Sequence, residues 1–374
     1  MSEVAPGGVE GWTFLSEYVV EAANHDAAHR HDEAINSLAR GVKAGDVESM
    51  TRLGKRLFIG DAAPYLPREA VGFLIDAAKA GGAEAPAILA VLSATGAYVA
   101  QSWPEGLSAL VLAAERGWGP AREQLQVLAT DQKLAASAAE LAKTSPDIWK
   151  RLGHSVAAGP WHLAPEARVL SRDPRVVSFP NLLTPAICEW LVAQAAPRLE
   201  PARVYDPVAV KDIIHETRTN SVANFGLLHA SFVHMLVQAR MAASCGIAIQ
   251  NFEAPTVLHY RPGQEITNHY DFVDPRATPN YDLELARSGQ RVVTFLVYLN
   301  DDYHGGETDF PELGVRHKGT KGEGLYFVNA FPDGGPDMRM VHAGRPPAGG
   351  DKWIVSQFVR SRAFVPSGQP ARSS

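Results

Sequence analysis

The chain has 374 residues, of which 46% are hydrophobic and 20% charged, with a formal net charge of −6. That length allows two domains with cores of their own, and the composition is that of a globular protein. The negative balance offers nothing global for nucleic acid or an anionic membrane to bind, no apolar run is long enough to span a bilayer, and two cysteines, Cys188 and Cys245, are too few for a disulfide framework.

The opening MSEVAPGGVEGWTFLSEYVV has no basic stretch leading into an apolar one, so export is not expected. Together with the cysteine usage this suggests a cytoplasmic protein, and both cysteines read as small buried side chains. The first third of the chain then repeats itself at a period of 36. Glu33, Glu69 and Glu105 fall in register, as do Leu38, Leu74 and Leu110, then Gly45, Gly81 and Gly117, then Leu53, Leu89 and Leu125. Each unit predicts a helix stopped by its glycine, which takes the left-handed conformation at little cost, followed by a second helix. Periods of this length belong to stacked helical hairpins that share a continuous core. His25, His29 and His31 precede the first repeat, and no further ligand completes a metal site with them, so a solvated face is expected.

Residues 131–152 predict one more helix, closing the array. The stretch GHSVAAGPWHLAPEARVLSRDP is rich in Gly and Pro and has no helical period. It places a linker at 153–175, between a helical domain at 1–152 and a second domain at 176–365, with 366–374 as a flexible tail. VVSFPNLLTPAICEWLVAQAAP predicts a short strand, a turn and an amphipathic helix, and LLHASFVHMLVQARMAASCG a helix ending at Gly246. From Glu253 the pattern is β, in short runs separated by turns with no helices between, which predicts a sandwich or jelly roll.

The chemistry centres on YRPGQEITNHYDFVD, Tyr260 to Asp274, which contains the one His-x-Asp of the chain, His269 and Asp271. In an extended strand residues two apart share a face, so the imidazole and carboxylate point together and Tyr270 turns away. They make two thirds of the 2-His-1-carboxylate triad that holds non-heme Fe(II) on one face and leaves the other open. About one such pair is expected by chance in a chain with 13 histidines, so the pair gains weight only from a third ligand on another strand. His304, in DDYHGG, and His317, in RHKGTKG, fall in polar turns, whereas His342, in MRMVHAG, lies at the end of an apolar strand. Lys352, ten residues after His342, opens the strand KWIVSQFVR. The hairpin between them can return its ammonium toward the imidazole's pocket. A fixed positive charge there suits a dicarboxylate cosubstrate, because a buried lysine is costly without an anion.

Taken together, YRPGQ…HYD, YLNDDYHGGETDFP and VHAGRPPAGGDKW resemble the Fe(II)/2-oxoglutarate dioxygenases of the prolyl 4-hydroxylase branch, over about residues 175–362. The repeats, with AAKAGGAEAPAIL and AAERGWGPAREQL, resemble the Sel1-like branch of the tetratricopeptide family over roughly 30–130. These resemblances imply an α+β multidomain chain: an N-terminal α-helical repeat array followed by a double-stranded β-helix, the distorted jelly roll of the family, with flanking helices. They make His269, Asp271 and His342 the iron ligands, with no catalytic residue beyond the metal centre. Lys352 pairs with the distal carboxylate of 2-oxoglutarate, Tyr260 donates to the same carboxylate and Thr308 lies on the cosubstrate wall. Tyr298 and Thr294 share a strand face in RVVTFLVYLN and either line the pocket or belong to the core.

Glu253 and Arg291 match positions that contact peptide substrate, and RTNS, Arg218 to Ser221, matches a family block ahead of the second helix. Ile266, Phe358 and Arg360 stand where relatives have tyrosine, tryptophan and histidine; the changes spare the iron and cosubstrate residues and put the substrate in question. The implied cofactors are Fe(II), 2-oxoglutarate and O2, with ascorbate named beside them. The implied activity is hydroxylation of a prolyl residue in a peptide or protein recruited by the repeats. The alternatives are the same chemistry on a free amino acid or small natural product, and an inactive protein-binding module.

Overall fold

The computed structural model describes residues 15–206, 211–213 and 215–363; the first fourteen residues and the tail expected at 366–374 lie outside them. The chain packs as two compact units divided between Pro86 and Ala87. The first holds α1 (Glu17–Ala27), α2 (His31–Lys43), α3 (Val47–Ile59) and α4 (Pro67–Lys79), and α5 (Glu84–Thr95) begins at its end. Next come α6 (Trp103–Glu115), α7 (Gly119–Leu128), α8 (Gln132–Leu141) and α9 (Ile148–His154). Helices α2, α4 and α6 start at residues 31, 67 and 103 and so keep the period of 36. The repeat glycines Gly45, Gly81 and Gly117 have φ of 81°, 100° and 94°, a region that disfavours any side chain with a Cβ. Leu38, Leu74 and Leu110 are buried, and Glu33, Glu69 and Glu105 are exposed. His31 near the first repeat is engaged by Asp26 (Nδ1 to Oδ1 2.9 Å), which also takes both guanidinium nitrogens of Arg56.

Two expectations are corrected. The single helix expected over 131–152 is the pair α8 and α9, broken at Ser145–Pro146, because proline lacks the N–H and disfavours the helical conformation of the residue before it. The β region is also interrupted by a helix, α12 (Tyr281–Ser288). Of its two leucines, Leu283 is 68% exposed and Leu285 is half-buried, so it has no fully buried stripe for periodicity to reveal.

The remaining elements are β1 (Arg168–Ser171), β2 (Val176–Phe179), α10 (Pro185–Ala195), β3 (Glu200–Pro201), β4 (Val204–Asp206), β5 (Lys211–Ile213), β6 (Ser221–Asn224), α11 (Phe232–Cys245), β7 (Thr256–Tyr260) and β8 (Ile266–His269). After α12 follow β9 (Arg291–Tyr298), β10 (His304–Gly305), β11 (Thr308–Phe310), β12 (Val315–His317), β13 (Gly324–Val328), β14 (His342–Gly344), β15 (Pro347–Gly349) and β16 (Lys352–Arg360). An eight-stranded sheet runs β1-β2-β13-β9-β16-β7-β6-β3, and a four-stranded sheet runs β12-β11-β14-β8. Among the described residues every strand pairing in both is antiparallel.

The period of two along β9 sorts its side chains between two cores. Leu296 and Tyr298 face an inner core with Tyr260, Phe310, Phe327, Met340 and Ile354. Val293, Phe295 and Val297 face an outer core shared with residues of α5 through α11. At the N-terminus of α11 the Phe232 N–H, which has no partner within its own helix, donates to Gln124 Oε1 of α7 at 2.9 Å. Helices α6 to α9 therefore bury their apolar faces in the same core as the large sheet. The packing division at 86/87 thus lies upstream of the linker read at 153–175. Among the described residues no helix is long and apolar enough to cross a membrane, and both cysteines are free thiols.

Candidate metal and cosubstrate site

Strands β8 and β14 pair so that His269 stands opposite His342, and Asp271 lies just beyond the end of β8. The ring centroids of the two histidines are 4.3 Å apart. Asp271 Oδ1 is 3.5 Å from His269 Nε2, and Oδ2 is 3.3 Å from His342 Nε2. Among the described residues this is the group of His, Cys, Asp and Glu side chains able to converge on one metal ion, its ligand atoms all lying within 4.8 Å of one another. His304 is exposed on β10. His317 is half-buried against Glu323, Nε2 to Oε1 3.1 Å, rather than solvated in a turn. His342 itself opens β14 instead of ending a strand, since Met338–Met340 forms a 3-10 turn before it.

Both histidines are fixed in the tautomer a metal needs. His269 Nδ1 lies 2.8 Å from the Thr267 carbonyl and His342 Nδ1 3.0 Å from the Met340 carbonyl. A carbonyl only accepts, so each Nδ1 carries a proton, and Nε2 is the nitrogen that each ring presents to Asp271 and would offer to a metal. The His342 ring is held between Phe310 and Phe327, at centroid distances of 5.4 and 4.8 Å. Burial alone would raise the Asp271 carboxyl; the imidazoles of His342 and His269 outweigh it and hold it well below the usual range. The segment after Asp271 is pinned by the buried Gln290, whose Oε1 accepts from Val273 N at 2.6 Å and whose Nε2 donates to Val273 O at 3.1 Å.

Lys352 is fully buried, and among the described residues its Nζ has no hydrogen-bond partner. Burial pulls the ammonium down to about 7, against a smaller opposing pull from Glu307. Its strand register sets it opposite Tyr260, and Nζ lies 5.1 Å from the Tyr260 ring centroid and 5.9 Å from that of Tyr298. Those rings offer a partial electrostatic substitute for water, but none of the three hydrogens of the ammonium is satisfied. The Tyr260 phenol, pushed up to about 12 by burial, stays protonated and able to donate. Tyr298 Oη and Thr308 Oγ1 are 2.9 Å apart. Gly319 lets the Tyr298 ring approach, since a Cβ there would stand 2.1 Å from Tyr298 Cδ2. The orphaned buried amine opposite Tyr260 fits an anionic cosubstrate, and the cluster of two imidazoles and a carboxylate fits a divalent metal.

Glu253 and Arg291 are brought together as a bidentate ion pair, with distances of 2.7 and 2.9 Å. Arg360 adds Nε to Glu253 Oε1 at 2.6 Å and reaches Glu284 Oε1 of α12 at 3.1 Å. Burial would raise the Glu253 carboxyl, and the two guanidinium groups outweigh it. Arg218 pairs by backbone with Ile266 at the start of β8. Thr294 donates to Asp271 Oδ2 at 2.8 Å, and Asn329 Nδ2 donates to Thr294 Oγ1 at 2.8 Å. Neither Asn329 nor Gln290 belongs to a recognisable motif. A lone amide at a strand end among apolar neighbours was the available signal.

Residues 255–360, which carry every strand from β7 to β16, match the family model of the 2OG-Fe(II) oxygenase superfamily, and the protein is a 2-oxoglutarate-dependent dioxygenase by class. Prolyl 4-hydroxylase 1 of Arabidopsis thaliana is 33% identical over 211 residues, covering 52% of this chain and 72% of that one. The chain belongs to the prolyl 4-hydroxylase family. Among solved structures, the viral collagen prolyl hydroxylase of Paramecium bursaria Chlorella virus-1, as its 2OG complex, is 26% identical and covers 50% of this chain and 96% of that one, with a TM-score of 0.40. A Sel1 repeat protein of Oxalobacter formigenes is 25% identical and covers 35% of this chain and 98% of that one, with a TM-score of 0.26.

Proposed function

We propose that this chain hydroxylates a prolyl residue in a peptide or protein, using Fe(II) and 2-oxoglutarate. The observation that carries the reading is that one domain holds both the His269–Asp271–His342 cluster and a fully buried Lys352 whose Nζ has no hydrogen-bond partner among the described residues. Fe(II) with 2-oxoglutarate and O2 supplies the oxidising power for an unactivated C–H bond, and the chain's residues position and exclude.

His269 and His342 would hold the ion through Nε2 and Asp271 through a carboxylate oxygen. Lys352 would neutralise the distal carboxylate of 2-oxoglutarate, the Tyr260 phenol would donate beside it, and Thr308 and Tyr298 would form the wall. The chemistry these groups would supply is insertion of one oxygen of O2 into the C–H bond, balanced by conversion of 2-oxoglutarate to succinate and CO2. Arg291 and Glu253 form the rim for the peptide, where donors of the guanidinium beyond the ion pair can meet peptide carbonyls. The helical repeats recruit the protein that carries the proline.

The test is succinate formation by Fe(II)-loaded protein in O2 with ascorbate as reductant, wild type beside His342→Ala, with and without proline-containing peptides. Turnover is expected to rise with peptide and to fall at least 100-fold in the variant, since losing only the hydrogen-bond partner behind a metal ligand already costs about 10- to 100-fold. Peptide-independent turnover that still needs His342 would move the substrate to a small molecule. Absence of turnover in all conditions would overturn the enzymatic reading.

A further inference from the structure

Asp271 differs from the two histidines of the cluster in offering two equivalent ligand atoms, so something must decide how its carboxylate presents itself. Two side chains outside the assigned set do so. Thr294 on the inner face of β9 is fully buried, and Asn329, just after β13, is 1% exposed. Thr294 Oγ1 lies 2.8 Å from Asp271 Oδ2, and Asn329 Nδ2 lies 2.8 Å from Thr294 Oγ1.

The direction of this chain of hydrogen bonds follows from its ends. An ionised carboxylate can only accept, so the threonine hydrogen goes to Asp271, and the hydroxyl oxygen is left to accept from the amide of Asn329. Turning that amide over would draw the threonine hydrogen to Asn329 and set two lone-pair-bearing oxygens 2.8 Å apart, one of them anionic. The amide's backbone is held on both sides: Asn329 N donates to Val292 O at 2.8 Å, and Asp337 N donates to Asn329 O at 3.0 Å. The β13–β9 register, which pairs Phe327 with Thr294, brings the two partners together. The side-chain amide, whose Oδ1 has no partner among the described residues, is oriented by its bond to Thr294, and the hydroxyl is thereby aimed at one oxygen of the carboxylate.

We propose that Asn329 and Thr294 are positioning residues that hold Asp271 Oδ2 and leave Oδ1 to ligate, so that the carboxylate binds the metal through a single oxygen. The inference rests on the reading of the cluster as a metal site. Asn329 acts through Thr294, and neither touches the metal or the cosubstrate.

The experiment is Mn(II) titration of metal-free full-length protein, following the loss of the free-ion EPR signal, with thermal unfolding of each metal-free variant alongside. Thr294→Val, which keeps shape and removes the donor, is expected to weaken Mn(II) binding about 10- to 100-fold, the usual loss when an outer partner of a ligand is removed. Thr294→Ser, which restores the hydroxyl, is expected to bind within about threefold of wild type. Asn329→Leu is expected to weaken binding less than Thr294→Val and to add nothing to it in the double variant, because residues acting in series are not additive. The metal-free unfolding midpoints of Thr294→Val and Asn329→Leu are expected to stay near that of wild type. Equal Mn(II) affinity for wild type and Thr294→Val would overturn the relay alone. So would a lowered midpoint in both variants with Mn(II) affinity unchanged in whatever folds, which assigns the pair to the core. Wild type that binds no Mn(II), like His342→Ala, would overturn the metal reading and the relay with it.

Discussion

Lys352 is buried with no hydrogen-bond partner for Nζ among the described residues, and the consequences have opposite signs with and without cosubstrate. The unfolded chain binds this proton up to about its ordinary value of 10.5, the folded chain only below about 7. Between those values the unfolded state holds more protons, so stability rises with pH. The whole shift is on the order of 5 kcal/mol at most. The unfolding midpoint of metal-free, cosubstrate-free protein is therefore expected to rise from pH 7 to 9.5 relative to Lys352→Met, which lacks the group. When 2-oxoglutarate binds, its carboxylate favours the ammonium, so above pH 7 binding takes up a proton and affinity weakens by up to tenfold per pH unit. Calorimetry in buffers of different ionisation heat measures that proton; affinity independent of pH from 7 to 9 would sink the pairing of Lys352 with the carboxylate. Lys352 and His342 could be found in the sequence because each sits in a motif with fixed spacing. Asn329 and Gln290 could not, because their partners, Thr294 and Val273, are set by strand register and loop path rather than by local pattern.

Glu253 ties three elements together, joining the start of β9 through Arg291 to the end of β16 through Arg360. Arg360 then extends the tie to Glu284 on α12. The sequence resemblance put Glu253 and Arg291 on the substrate rim, and the geometry gives the same carboxylate a structural duty. The two duties predict different things. Glu253→Gln removes one of the two carboxylates that Arg360, 7% exposed at its side chain, meets, and breaking a buried pair from one side costs about 3 kcal/mol. Urea unfolding is expected to show a lower midpoint with an unchanged slope. A change below about 0.5 kcal/mol would mean the pair is not holding these elements, and its charge would be free for substrate. α12, the third member of this tie, was invisible as a helix because its anchoring is ionic and its apolar face is solvated.

The two compact units and the repeat pattern divide the chain differently. The repeat period runs through α6 and α7, yet α6 to α9 share the outer core of the large sheet and satisfy the first N–H of α11 through Gln124. A chain beginning at Glu84 is therefore expected to unfold cooperatively and to bind Mn(II) as the full-length protein does. A chain beginning at Gly153 would expose the faces that Leu110, Leu125, Ile148 and Leu152 bury, each costing about 2–5 kcal/mol if truncated alone, and is expected to aggregate. Solubility and circular dichroism of the two chains decide this. If the shorter chain were soluble, folded and metal-binding, helices α6 to α9 would belong to the array alone. If the chain from Glu84 turned over a short peptide normally but a protein substrate poorly, α1 to α4 would be the recruiting part.

Local pattern was enough for the helical hairpins, because a period of 36 and a glycine in the left-handed region are properties of neighbouring residues. It was also enough for the β character of the second half and for the alternation along β9. Motif spacing brought His269, Asp271 and Lys352 into view, and the family resemblance chose His342 from three histidines for the third position. Which of these meets Asp271 depended on the pairing of β14 with β8, a contact between strands far apart in the chain. The unpaired state of Lys352, the Asn329–Thr294 relay and the shared core of α6 to α9 have the same origin. Each is a relation between non-neighbouring residues that exists only once the two sheets and the helices behind them are packed.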